Sequence, residues 1–195
     1  MKKIISLILS AAMLSGILTG CGTPEPKKNC VVIVSKSANL PAPDPSMLEG
    51  DLMQTARSNG QVQVIRLDGQ PVLTDTLSMN QRPGFYTEAQ LEQLAKERLN
   101  LLESAIAAVE AQAPECNLLG ALQLAADSVE ATENETNALL ICSSGINTVA
   151  PLNMSEVVLK AIDIEATVSA LQEKGAIPDL SDYNEVKVFM LGRTA

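Results

Sequence analysis

Two short runs limit the fold of this chain more than any other feature. Residues 30–34 read CVVIV and residues 137–142 read NALLIC, the first continuously apolar and the second so after Asn137. A strand with one wet face alternates apolar and polar residues, so an unbroken run marks a strand covered on both faces. Such strands lie in the middle of a parallel sheet, with helices packed above and below. The sequence between and after them supplies the helices. Residues 88–112 open on a Thr87/Gln90 capping box, and Leu91, Leu94, Ala95, Leu102, Ala105, Ile106 and Val109 recur on one face. Residues 118–130 are apolar on most sides and predict a buried helix. Residues 164–174 predict another, with Asp163 as cap, Ile164, Val168 and Leu171 inward, and Gly175 as stop.

The remaining elements complete the pattern. Residues 47–58 can form a short helix that ends near Asn59-Gly60. Residues 61–67 alternate, Asp68-Gly69 is a hairpin turn signal, and residues 70–76 return as a strand. Residues 186–191, VKVFML, form the last strand. The order predicts an α/β fold: a Rossmann-like, mostly parallel sheet with one antiparallel edge hairpin and helices on both faces. Ligands of such sheets gather beyond the carboxyl ends of the central strands. Here those ends carry Ser35, Ser37 and Asn39 in one loop and Ser143 and Ser144 in the other.

The first 21 residues are of another kind. Lys2 and Lys3 form a basic head, residues 4–17 are almost wholly apolar, and Leu18-Thr19-Gly20-Cys21 ends the run. This is the order of a secretory signal. The apolar run is shorter than the ~20 residues of a bilayer span and is interrupted by Ser6, Ser10, Ser15 and Gly16. The last four residues resemble the lipobox of bacterial lipoproteins. That resemblance implies that residues 1–20 are removed as a signal peptide and that Cys21 is lipidated, palmitate being one of its acyl chains. It also implies an extracytoplasmic location on the bacterial membrane or envelope. Residues 21–29 then form a lipidated tether and residues 30–195 the domain.

Charge and composition exclude several functions. Removing residues 1–20, which hold two lysines and no acid, takes the formal net charge from −9 to −11. Nucleic acid is therefore not an expected partner, since its phosphates need a basic surface. The chain has no histidine, which excludes Ser-His-Asp and Cys-His catalysis and any histidine-bound zinc. No tryptophan and only two tyrosines and two phenylalanines argue against stacking platforms for sugars or bases. Beyond Cys21 three cysteines remain, Cys30, Cys116 and Cys142. They permit at most one internal bridge, whose partners the sequence leaves open. Cys142 closes an apolar run and reads as a small buried hydrophobe.

The element order and several loops together resemble a von Willebrand factor type A domain. Ser35-x-Ser37-x-Asn39 falls where that family has Asp-x-Ser-x-Ser, and residues 114–122 (PECNLLGAL) resemble the segment that supplies a metal-site threonine. Ser143-Ser144-Gly145 falls at the family's later aspartate motif. A nearer likeness is to the divergent type A-like domains of OmpA-type envelope proteins. It rests on Ser144-Gly145-Ile146-Asn147-Thr148, Leu152-Asn153 and Gly175-x-Ile177-Pro178-Asp179-Leu180-Ser181. The family's metal site needs carboxylates, because Mg²⁺ is a hard cation that prefers charged oxygen. Here Ser35 and Ser143 replace both key aspartates and Asn117 replaces the threonine. The expectation is a degenerate site with no metal and no cofactor.

These readings converge on a membrane-anchored lipoprotein whose domain binds a protein or envelope component without catalysis. Ser35, Ser37, Asn39, Asn117, Ser143 and Ser144 are its candidate binding residues. The competing reading for them is loop capping, since serine and asparagine satisfy backbone groups without any ligand. A serine-dependent hydrolase or transferase using Ser35 or Ser143 is the catalytic alternative, with Lys36 as a conceivable partner base. A solute-binding lipoprotein is a third, although such proteins usually need two lobes. Asp179, Asp182 and Glu185 read as solvated surface charge. Type A domains continue with a further helix, strand and helix, whereas this sequence ends just after a strand. A naturally short or a truncated domain would then expose a sheet edge, favouring self-association or pairing with a missing segment.

Overall fold

A computed structural model describes residues 26–35, 44–78, 87–133, 135–154 and 163–190. The elements are β1 (Lys27–Val34), a 3-10 turn (Pro45–Leu48), α1 (Glu49–Arg57), β2 (Gln61–Arg66) and β3 (Val72–Ser78). They continue with α2 (Glu88–Ala108), α3 (Leu118–Ala126), β4 (Glu135–Ser143), α4 (Ile164–Glu173) and β5 (Glu185–Met190). The five strands form one sheet in the order β3-β2-β1-β4-β5. All neighbours are parallel except β2 and β3, which are antiparallel with an irregularity at Val64/Ile65. The α/β architecture expected from the sequence is the one observed.

The two continuous apolar runs occupy the two positions flanked on both sides. β1 lies between β2 and β4, and β4 between β1 and β5. Alternate residues of β1 therefore feed two separate cores. On the first face, Cys30, Val32 and Val34 join Val62, Val64, Leu140 and Cys142 under α1 and α2. On the second face, Val31 and Ile33 join Ile65, Leu139 and Ile141 beneath Ala121 and Ala125 of α3. Each such aliphatic side chain, taken wholly from water, contributes about 2 kcal/mol before entropy is counted.

Several boundaries differ from the sequence reading, each through a tertiary contact. β1 begins at Lys27 and not at residue 30, because Lys27, Lys28 and Asn29 pair with Glu135, Thr136 and Asn137. Lys28 and Asn29 thus belong to the sheet and not to the tether. The Thr87 capping box is present, but α2 stops at Ala108, short of residue 112. Val109 turns extended into the core, and the Gln112 N–H is held by the Asp68 carboxylate at 3.0 Å. α3 ends at Ala126, and its continuation is drawn inward where Val129 packs against the second core.

α4 has its predicted Asp163 cap and ends before Gly175, whose φ of +60° only glycine adopts freely. Only part of its predicted inward face is buried. Leu171 is buried, but Ile164 is 73% and Val168 41% exposed. Periodicity states which residues share a face; docking decides how deeply that face sinks.

Candidate functional site

The carboxyl end of the parallel strands brings together four of the predicted residues. Val34 and Cys142 are register partners on β1 and β4, so Ser35 and Ser143 leave adjacent strand ends. The Ser35 N–H donates to the Cys142 carbonyl at 2.9 Å. Asn117 opens α3 over the end of β2, its N–H bonded to the Asp68 carbonyl at 2.9 Å. Ser144 is half-buried beside them. Cys21, Lys36, Ser37 and Asn39 lie outside the described residues.

Four polar side chains at this end are engaged by the chain itself. Asn117 Oδ1 caps α3 by accepting from the Gly120 N–H at 2.9 Å. Ser143 is 1% exposed, and its Oγ accepts from the Gly145 N–H at 3.1 Å. Asn147 is the hub of the following loop. Its Nδ2 donates to the Val149 and Leu152 carbonyls, both at 2.7 Å, and its Oδ1 accepts from the Leu119 N–H at 3.1 Å. Thr148 accepts from the Cys116 N–H at 2.7 Å and returns its own N–H to the Cys116 carbonyl at 2.7 Å. The loop after β4 is thereby stitched to the start of α3. This is the use of serine and asparagine as caps.

The sequence read Asp68 as a turn residue, and its side chain does more. Asp68 is 1% exposed and sits 2.8 Å from Arg66 Nε. Its two oxygens also accept the Gln70 and Gln112 N–H groups at 2.9 and 3.0 Å. A cavity of about 490 Å³ opens beside it, lined by Arg66, Asp68, Gln70, Gln112 and Glu115 among others. Neither Ser35 nor Ser143 lines it.

The donor set suits a divalent cation poorly. Asn117 Oδ1 and Ser143 Oγ already accept N–H groups, and the carboxylate of Asp68 is shared among an arginine and two amides. Among the described residues no three of His, Cys, Asp and Glu converge. Hard cations require several free, charged oxygens, which these described donors do not offer.

A second polar cluster lies at the amino end of the strands. Lys28 Nζ is 2.7 Å from Asp51 Oδ1, 2.9 Å from Gln54 Oε1 and 3.4 Å from Glu185 Oε2. Lys187 Nζ meets both Asp51 oxygens at 2.9 and 3.0 Å and Glu185 at 3.1 Å. These residues come from β1, α1 and β5 and converge across β4. Burial pushes the Asp51 carboxyl upward, but hydrogen bonds from Lys187 and Lys28 outweigh it and hold the group below the usual aspartate range. The hydrogen bond from Lys187 likewise lowers Glu185, which is thus part of a clamp and not merely solvated charge. Asp51 carries no signal in the sequence, and only the helix's buried side, shared with Leu48, Leu52 and Thr55, marks it. Lys28, assigned to the tether, was not legible either.

The three cysteines are free thiols. Cys30 faces Ala138 and Cys142 faces Val34, four residues apart along paired strands, or about 13 Å. Cys116 packs against the opposite core. No pair meets the geometry of a disulfide, whose Cα atoms lie within about 7 Å. Burial pushes the Cys142 thiol up to about 11 and raises Cys116 and Cys30 as well.

No family model and no curated protein matches this chain. Solved structures with a similar fold include a mussel byssus proximal thread matrix protein, at 9% identity and TM-score 0.40, over 85% of this chain and 37% of that one. Three N-terminal domains of a Porphyromonas gingivalis type V pili tip protein align at 9% identity and TM-score 0.42, over 77% and 27%. An aerotolerance-related membrane protein of Bacteroides fragilis aligns at 13% identity and TM-score 0.40, over 85% and 68%. The chain spans only about a third of the length of the first two. The fold assignment rests on the sheet itself.

Proposed function

We propose that this chain is a lipid-anchored, exported bacterial envelope protein. Its type A-like domain, similar to those of OmpA-type proteins, binds a protein or envelope component without catalysis. The observation that carries this reading is Leu18-Thr19-Gly20-Cys21 placed six residues before β1 begins at Lys27. Five residues reach at most about 18 Å. The amino ends of β1, β2, β4 and β5 then face the bilayer, and the carboxyl ends stand about 26 Å further out along the eight-residue β1. That distal end, around Ser35, Asn117, Ser143 and Ser144, is the surface offered to a partner. With Asn117 and Ser143 used as caps, recognition there falls largely to shape and backbone groups.

Metabolic labelling with palmitate tests the anchor. Full-length protein is expected to carry label and to sediment with membranes, and Cys21→Ser to lose both. A labelled Cys21→Ser protein would sink the proposal. Calorimetric titration with Mg²⁺ is expected to show no binding, and micromolar affinity would overturn the degenerate-site reading.

A further inference from the structure

The cavity of about 490 Å³ beside Asp68 carries charge that the fold does not use up. Three segments wall it: the β2–β3 turn, the stretch between α2 and α3, and the loop after β4 at Val149. Each wall is tied in place. The Asp68 carboxylate holds the Gln70 and Gln112 N–H groups, its carbonyl holds the Asn117 N–H, and Asn147 Nδ2 holds the Val149 carbonyl. Walls fixed before binding lose little freedom when a ligand enters.

Arg66 supplies the positive charge. Its side chain lines the cavity and is 14% exposed. A guanidinium keeps its proton and offers five N–H donors. Among the described residues its one acidic partner is Asp68, and that contact is incomplete. Asp68 Oδ2 stands 2.8 Å from Nε but off the N–H direction, which leaves Nε a buried donor without a hydrogen bond. The Asp68 oxygens are meanwhile bonded to two backbone N–H groups. The terminal nitrogens of Arg66 are thus left for an incoming acceptor, and a planar carboxylate matches their fork.

Glu115 limits what that carboxylate can belong to. It is exposed and lies against Gly69, where a Cβ would stand 3.1 Å from Glu115 Cβ and 3.3 Å from its Oε2. With Asp68 it sets two negative groups against one positive around the cavity. A purely anionic ligand would face both carboxylates, and a purely cationic one would face Arg66. A zwitterion meets both signs with a partner. Ala113 and Val149 add a small apolar surface, and the volume lies within the roughly 300–1,000 Å³ of small-molecule sites. We propose that this cavity binds a free α-amino acid with a short aliphatic side chain, its carboxylate on Arg66 and its ammonium toward Glu115. This solute site goes beyond the binding surface described above and does not depend on the lipid anchor.

Titration of the full-length protein with L-valine, followed by calorimetry and amide resonance spectra, tests this. Binding is expected to saturate and to shift the Gln70 and Gln112 amide signals, whose N–H groups are bonded to Asp68 at the cavity. Isovalerate, which lacks the ammonium, and isobutylamine, which lacks the carboxylate, should each bind at least about tenfold more weakly. Glu115→Gln alters an exposed side chain and should keep the fold. It is expected to weaken valine about tenfold while leaving isovalerate no weaker. Arg66→Lys keeps the charge beside Asp68 but not the fork, and should weaken valine and isovalerate alike by about tenfold. No saturation by valine, alanine or leucine up to about 10 mM overturns the proposal. Equal affinity for valine and isovalerate overturns it too, as does undiminished valine binding by a folded Glu115→Gln protein.

Discussion

The two ends of the sheet handle polar groups in contrasting ways. At the amino end Lys28, Asp51, Glu185 and Lys187 form a charged clamp joining the first strand to the last. At the carboxyl end Asn117, Ser143, Asn147 and Thr148 hold the loops through neutral bonds to the backbone, with Asp68 and Arg66 as the single described charge pair there. Ligands of such sheets are expected at the carboxyl end, yet that is where side chains are committed to capping. The clamp, in turn, ties down the strand that the short link to Cys21 enters.

Removing Asp51 gives the largest expected effect. Lys28 is almost buried and would keep only Gln54 and a longer contact to Glu185, so Asp51→Ala should cost about 3 kcal/mol in urea denaturation. A loss below about 1 kcal/mol would mean the clamp is solvated and the contrast false. The same variant sharpens a pH test. Asp51 and Glu185 are held below their ordinary values of 3.8 and 4.5, so their contribution is complete above those values and is lost as pH falls through the folded ones. Lys187 is raised above 10.5, so its contribution is complete below that value and lost as pH rises through the folded one. Wild-type stability should therefore fall on acidification more steeply than that of Asp51→Ala. Equal acid slopes would count against the clamp.

The neutral end should respond less and without a pH signature of its own. Asn147→Ala removes three hydrogen bonds from a residue 2% exposed and is expected to cost about 2 kcal/mol. It should also loosen residues 145–154, read as faster amide exchange at Thr148, whose N–H is bonded to Cys116. Asn117→Ala removes one cap and should cost about 1 kcal/mol. If Asn117→Ala proved neutral in stability while abolishing capture of an envelope partner, the residue would be a binding group and not a cap.

Much of the fold was legible because its signals are local. The unbroken run at residues 30–34, the Asp68-Gly69 turn, the Thr87/Gln90 box and the Asp163 cap each depend on neighbours a few positions away. The candidate site was legible in part. Ser35 and Ser143 fall on adjacent strand ends as their loops implied. That Asn147 and Thr148 bind the start of α3 was not, since they reach across about thirty residues of sequence. Ile164 and Val168 share a helical face as read, but nothing local says that the face stays exposed.

From residue order alone came the α/β class and the antiparallel edge, since spacing and hydropathy encode them directly. Folding alone settled which polar groups are used up. Lys28 and Lys187 meet on Asp51 only because β1, α1 and β5 converge across β4. Such meetings depend on distance in space, and a buried charge must find its partner there whatever the separation along the chain.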